Sequence, residues 1–202
     1  KARIRMIDPK AGIDFPWLRN MPHLDGDLIT EQDEAIHALE ELVAEMERRN
    51  RLLAEAGVTK LDNYNRKVPP SEQLPRIWLF HDELADWMMI NEYRDAVDLN
   101  ASRLGVKARA AGINLVLITQ RPDKDALPMQ LRANLTNRLV LKMADKKNSM
   151  LVLDEPGAER LLGRGHLAAK LSGEGNVILA QVPFASEEEI HDLAKLIAKA
   201  RR

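Results

Sequence analysis

The chain has 202 residues and is 45% hydrophobic, enough for one α/β domain with its own core, and its 30 Lys/Arg against 31 Asp/Glu leave no overall charge that calls for a nucleic-acid partner. The lack of cysteine excludes disulfides and thiolate-bound metal, and the five histidines fall at no ligand spacing such as HExxH. No apolar run approaches a membrane span, and no stretch reads as a signal peptide.

In chain order, Arg3–Asp8 alternates and reads as a strand stopped by Pro9, so the opening residues look like the inside of a domain. After a loop with Gly12, Pro16 and Pro22, Thr30 is placed to cap a helix. Ile36, Leu39, Val43, Met46 and Leu53 carry that helix at helical spacing as far as Gly57. Leu61–Pro75 reads as a polar, proline-rich connection. A strand at Ile77–His81 follows, then a helical stretch from about Leu84 to Ala111 that Gly112 ends. Asn114–Gln120 is a uniformly apolar strand and so is predicted to be central. The segment from Leu131 to Asn137 is short and helical or irregular, and Arg138–Met143 makes a fourth strand.

A short helix is predicted within Gly157–Gly165, and a hairpin turning at Ser172–Gly175. The last helix, Glu187–Ala200, starts at Ser186 with Glu189 in capping-box position. Strands alternating with helices predict an α/β fold with a mostly parallel sheet, whose functional residues gather at the carboxyl ends of the strands. Those ends carry Asp8 and Lys10, Asp82 and Glu83, and Thr119, Gln120 and Arg121.

Charge is unevenly spread. Residues 25–50 carry nine acids (Asp25, Asp27, Glu31, Asp33, Glu34, Glu40, Glu41, Glu45, Glu47) against Arg48 and Arg49, net −7. Residues 101–150 carry ten Lys/Arg against Asp123, Asp125 and Asp145, net +7. The asymmetry hints at an anionic ligand for the basic half; from charge alone, two solvated helix faces are the preferred reading. An apolar strand ending in Asp82-Glu83 is the Walker B pattern of a nucleoside triphosphatase. Asp82 would help hold Mg²⁺ near the phosphates, and Glu83 would polarise the attacking water. Gln120 is placed to sense the γ-phosphate, with Thr119 in support.

Six segments taken together, IDPK (7–10), EMERRN (45–50), DELADWMM (82–89), KARAAGINLVLITQRP (107–122), RANLTNR (132–138) and GAERLLGRG (157–165), resemble the motor domain of FtsK/SpoIIIE DNA translocases over nearly the whole chain. The resemblance implies a RecA-like P-loop ATPase core with a C-terminal β-hairpin and helix, using ATP and Mg²⁺ and working as a hexameric ring on double-stranded DNA. It implies Asp82, Glu83 and Gln120 as catalytic and sensor residues. Arg109 becomes the arginine finger reaching a neighbouring subunit, with Arg138 a fallback. Arg132 and Lys146 match DNA-contacting pore-loop positions, and Lys147 adds charge beside them.

The chain departs from the family pattern in three places. His81 stands where an aliphatic residue is usual, and reads as a strand-end histidine with a hydrogen bond. Met150 stands where an arginine is usual. No GxxxxGK[ST] occurs in residues 1–202. Residues 1–202 are therefore expected to be the C-terminal portion of one motor domain, with a strand missing between Asn114–Gln120 and Arg138–Met143. The family's membrane helices and winged-helix domain fall outside it, and the motor is expected in the cytoplasm, at the inner membrane if anchored. Alternatives are a conjugative coupling or type VII secretion ATPase of the same superfamily, or a catalytically silent ring subunit.

Overall fold

The computed structural model describes residues 2–200, Val106 by its backbone alone. Its first sheet is parallel: β2 (Arg76–His81) runs between β1 (Ala2–Ile7) and β3 (Ile113–Leu117). The registers place Ile7 beside His81 and His81 beside Leu117, so the three carboxyl ends finish level. Inward residues alternate along β2: Ile77 and Leu79 are buried on one face, while Trp78 and Phe80 stack half-buried on the other.

The buried face packs against α1 (Gln32–Glu55) and α4 (Asn91–Lys107). Leu39, Leu42 and Met46 of α1 meet Leu79, Tyr93 and Leu104 in one continuous core. A helical stripe on α1 explains why it forms: Ala35, Leu39, Leu42, Met46 and Leu53 fall on one side, and its acids face outward.

Several boundaries differ from those the sequence predicts. Glu31, not Thr30, is the N-cap of α1, without a side-chain capping bond. The connection before β2 contains a helix, α2 (Leu61–Lys67), whose Leu61 and Tyr64 alone are buried; two apolar positions are too few to announce a helix. The stretch after β2 is two helices, α3 (Ala85–Met88) and α4, broken where Ile90 turns extended. That break lets Trp87, Met88 and Tyr93 all point inward. Among the described residues β3, expected to be central, has a second edge that pairs with no strand, and β2 holds the middle.

Beyond β3 lie α5 (Met129–Asn134) and a second, antiparallel sheet ordered β4 (Arg138–Val140), β5 (His166–Lys170), β6 (Ile178–Gln181). The predicted hairpin is β5–β6. α6 (Lys146–Leu153) and the 3₁₀ turn Ala158–Arg160 close a small core of Val140, Leu153, Ala158, Leu161 and Ala168. β4 likewise has one edge unpaired by any strand among the described residues. α7 (Glu187–Ala200) begins with the predicted capping box, Ser186 and Glu189 exchanging bonds at 2.7 and 3.2 Å.

Arg49 ties the amino ends of the parallel strands to α1. It is 1% exposed; its Nε donates to Glu45 at 2.7 Å, and its Nη1 to the carbonyls of Pro75, just before β2, and Ala111, just before β3. Burial works against ionisation of Glu45, but hydrogen bonds from Arg48 and Arg49 outweigh it and hold the carboxyl below its usual range. Gly112 completes the corner at φ 74°, where a Cβ would lie 2.2 Å from Leu61. Arg49→Ala orphans two carbonyls and takes from Glu45 one of its two arginine partners, and is expected to cost about 2–4 kcal/mol. Arg48→Ala, which breaks only an exposed pair, should cost under about 1 kcal/mol. Urea denaturation of the two variants measures the difference.

Candidate active site

The level strand ends become a site because the hydrogen-bond ladder continues past them. Asp82 N–H donates to Ile7 O at 2.9 Å, Ile118 N–H to His81 O at 2.9 Å, and Leu84 N–H to Ile118 O at 2.8 Å. Asp82, Glu83, Thr119 and Gln120 are thereby brought together, as their positions at strand ends predict. Glu83 is 7% exposed and sits at φ 39°, a left-handed conformation that a side chain with a Cβ adopts at a cost. Its carboxylate accepts from Thr119 Oγ1 at 2.9 Å and from the backbone N–H of Gln120 at 3.1 Å. Thr119 in turn accepts from Arg121 N–H at 3.1 Å. Gln120 touches Glu83 through its backbone, and its side chain lies in an exposed position.

Asp82 is half-buried. Burial raises its pKa, against the pull of the nearby Lys10 ammonium. Lys10 comes from the turn after β1, which buried Asp8 folds by accepting the N–H groups of Lys10 and Gly12, each at 2.8 Å. Lys10 Nζ bonds Asp14 at 3.1 Å, and that bond raises its pKa. The tip is therefore an acidic cluster with one lysine inside it. Sequence order shows Asp8 and Lys10 at a strand end but not that the Lys10 ammonium comes near enough to act on Asp82.

The donors fit a hard cation. Asp82 and Glu83 offer carboxylate oxygens, and no group of three or more metal-binding side chains occurs among the described residues. Two carboxylates at one strand end suit a Mg²⁺ that takes its remaining ligands from water and phosphate.

His81 directly precedes the acid pair and is 1% exposed. Its Nδ1 lies 2.8 Å from Asp82 O, and its Nε2 2.5 Å from Tyr93 Oη. Trp87 packs edge-on against both rings, with centroids 5.9 and 5.3 Å away. The expected strand-end hydrogen bond is there. The second partner, Tyr93, comes from α4 and carries no signal in the local sequence.

Arg109 is exposed in the corner between α4 and β3, at the opposite end of the sheet. The length of β3 separates it from Glu83, on the order of 15 Å at strand rise. Arg138 is engaged within the second sheet's unit: Nη1 donates to Val152 O and Asp154, both 2.8 Å, and Nη2 to Arg132 O. Hydrogen bonds from Lys170 first, and then Arg138, hold Asp154 below the usual carboxylate range. Arg132 is half-buried and donates to the carbonyls of Leu127 and Leu151 at 3.0 and 2.8 Å. Lys146 and Lys147 are exposed in the first turn of α6, behind the Asp145 cap, and Met150 is exposed a turn later.

A parallel sheet with acids at its middle tip and a polar pair on the next strand defines the RecA-like ATPase fold. The conjugation coupling protein TcpA of pCW3, solved as a monomer with ATPγS, superposes with a TM-score of 0.87 at 30% identity, over all of this chain and 57% of that one. The cytoplasmic domain of the Thermomonospora curvata type VII secretion ATPase EccC gives a TM-score of 0.73 at 20% identity, over 97% of this chain and 24% of that one, a likeness of fold.

The pattern of the FtsK/SpoIIIE family matches residues 2–171, and the chain belongs to that family. It is 41% identical over 197 residues to the DNA translocase FtsK of Campylobacter jejuni, covering 96% of this chain and 20% of that protein. With the DNA translocase FtsK of Pseudomonas aeruginosa the identity is 37%, over 95% of this chain and 26% of that protein. The chain thus spans about a fifth to a quarter of these two relatives.

Burial pushes the His81 pKa down from 6.5 to about 4, against the opposing hydrogen bond to Asp82 O. Above pH 6.5 the ring is neutral both folded and unfolded and costs nothing. As pH falls below 6.5 the unfolded chain takes up the proton first, so stability is lost progressively until the folded ring also titrates near pH 4. The loss is about 2 kcal/mol by pH 5 and about 3 kcal/mol when complete. Urea denaturation at pH 7 and pH 5 should show this decline, and His81→Leu should remove it.

Proposed function

We propose that the chain is part of an ATP-driven motor that moves double-stranded DNA, and that the tip of the parallel sheet is its hydrolytic site. The observation that carries this is the convergence of Asp82 and Glu83 with Thr119 and Gln120 at level strand ends. Asp82 holds the Mg²⁺ that accompanies ATP, directly or through its water shell, and the ion supplies charge neutralisation at the phosphates. Glu83 orients and polarises the attacking water. It is poised for this by Thr119 and the Gln120 N–H, and it moves between them and the water. The Gln120 side chain reads the γ-phosphate.

Residues 1–202 form the C-terminal portion of a RecA-like motor domain. The phosphate-cradling loop and its strand come from another segment of the protein. This reading is supported by the open edges of β3 and β4, which pair with no further strand among the described residues. Arg109, at the wrong end of the sheet for its own site, serves the site of the next subunit in a hexameric ring.

Lys146 and Lys147 contact the DNA backbone. Cations in the first turn of a helix oppose its dipole, so stability alone does not favour them there. Arg132 joins them only by releasing the two carbonyls it now holds. Arg138 supports the subunit from within as well as being a fallback finger. The motor works on the cytoplasmic side; among the described residues no helix is long and apolar enough to cross a membrane.

A conjugative coupling role is the second reading, favoured by the likeness to TcpA. A secretion role and a silent ring subunit are the others.

In the full-length protein, Glu83→Gln should lower DNA-stimulated ATP turnover by roughly 100-fold or more while nucleotide binding persists. Normal turnover would remove Glu83 from its role, and stimulation by a secreted polypeptide in place of duplex DNA would move the protein to the secretion branch. Arg109→Ala alone should be inactive. Mixed with Glu83→Gln subunits it should regain activity, because some interfaces then pair an intact finger with an intact acid. Absence of rescue at every mixing ratio would count against a finger acting between subunits.

A further inference from the structure

The strained conformation of Glu83 needs something to hold it, and the backbone on either side shows what does. On its carboxyl side, the 83–84 peptide is fixed by Leu84 N–H donating to Ile118 O. On its amino side, the carbonyl of the 82–83 peptide faces His81 Nδ1 at 2.8 Å. Fixing both flanking peptide planes fixes φ and ψ of the residue between them. Since a carbonyl only accepts, Nδ1 must carry the proton. In the neutral ring Nε2 is then an acceptor, and Tyr93 Oη donates to it. The rings of His81, Tyr93 and Trp87, mutually edge-on, bury this chain of bonds and fix the histidine's orientation.

We propose that His81 and Tyr93 are positioning residues for hydrolysis: the Tyr93 hydroxyl sets the tautomer of His81, and His81 Nδ1–H locks the Asp82–Glu83 peptide so that Glu83 is presented at φ 39°. Neither residue touches the nucleotide. An aliphatic residue at position 81 fills the same space without the lock, so this chain holds its acid pair by a device that packing alone does not supply. It also links the first turn of α4 to the tip of β2, two elements otherwise joined through the core. The inference rests on the reading of Glu83 as the residue that polarises water.

The test compares variants of the full-length protein for kcat, nucleotide affinity and thermal stability. His81→Leu keeps the site apolar and packed but loses the donor. It should lower kcat about tenfold, with nucleotide affinity unchanged. Tyr93→Phe should lower kcat severalfold. In His81→Asn the amide nitrogen falls where Nδ1 was, so the donor to Asp82 O returns. This variant should be less stable than His81→Leu, because it buries a polar amide and leaves a cavity where the ring was, and yet more active.

That inverted order of activity and stability is what a purely structural role would not give. Activities that follow stability, or an unchanged kcat in His81→Leu, would overturn the proposal. So would nitrogen NMR showing the proton of His81 on Nε2. Glu83→Gln, run alongside, separates the two levels: full activity there defeats the reading of the site, whereas its loss there with none in His81→Leu defeats only the positioning role.

Discussion

The site depends on three parallel strands ending at the same height. Because Ile7, His81 and Leu117 are register partners, whatever follows each strand must emerge side by side. Parallel pairing achieves this with backbone alone, and the ladder bonds beyond the strands at Asp82, Leu84 and Ile118 extend the order as far as Leu84 after β2 and Ile118 after β3. Glu83 lies inside that extension and has a left-handed backbone. A loop free to relax would release it; a loop stitched on both sides does not.

The opposite end of the same sheet is held by different chemistry. There Arg49, from α1, takes up the carbonyls that precede β2 and β3, and Gly112 makes the corner where no Cβ fits. Arg109 stands on this corner. The sheet thus keeps acid pair and arginine about one strand length apart, at its opposite ends. In the proposed ring the separation becomes useful, since each sheet then spans from its own site to its neighbour's. The anchoring by a buried arginine makes that span a fixed length.

The basic half divides in two once the fold is formed. Arg132 and Arg138 lie in a run of excess positive charge, yet their guanidinium groups are turned inward onto carbonyls and Asp154. Their first task is to join α5, β4 and α6 into one unit. Lys146 and Lys147 remain outside, on a helix start where the dipole resists them. Net charge along the sequence could not distinguish these two uses, because it counts cations without regard to what they face.

The sequence by itself determined the α/β class, the acid pair at a strand end, the polar pair at the next, the hairpin and the capping box of the last helix. These are local patterns, readable because alternation, spacing and capping act between neighbours. It also carried the six family segments, and with them membership of the FtsK/SpoIIIE family. It read β3 as central, whereas among the described residues β3 is an edge strand, since apolar residues show burial and not which strands lie beside them. It missed α2 and the break at Ile90, where only one or two contacts select the conformation. Only the tertiary structure decided that Tyr93 meets His81, that the Lys10 ammonium comes near Asp82, and that Arg49 reaches the ends of two strands. Those pairings lie 12, 72 and 62 residues or fewer apart in the chain, and no local propensity encodes them; they exist because helices pack on a sheet whose register has already been set.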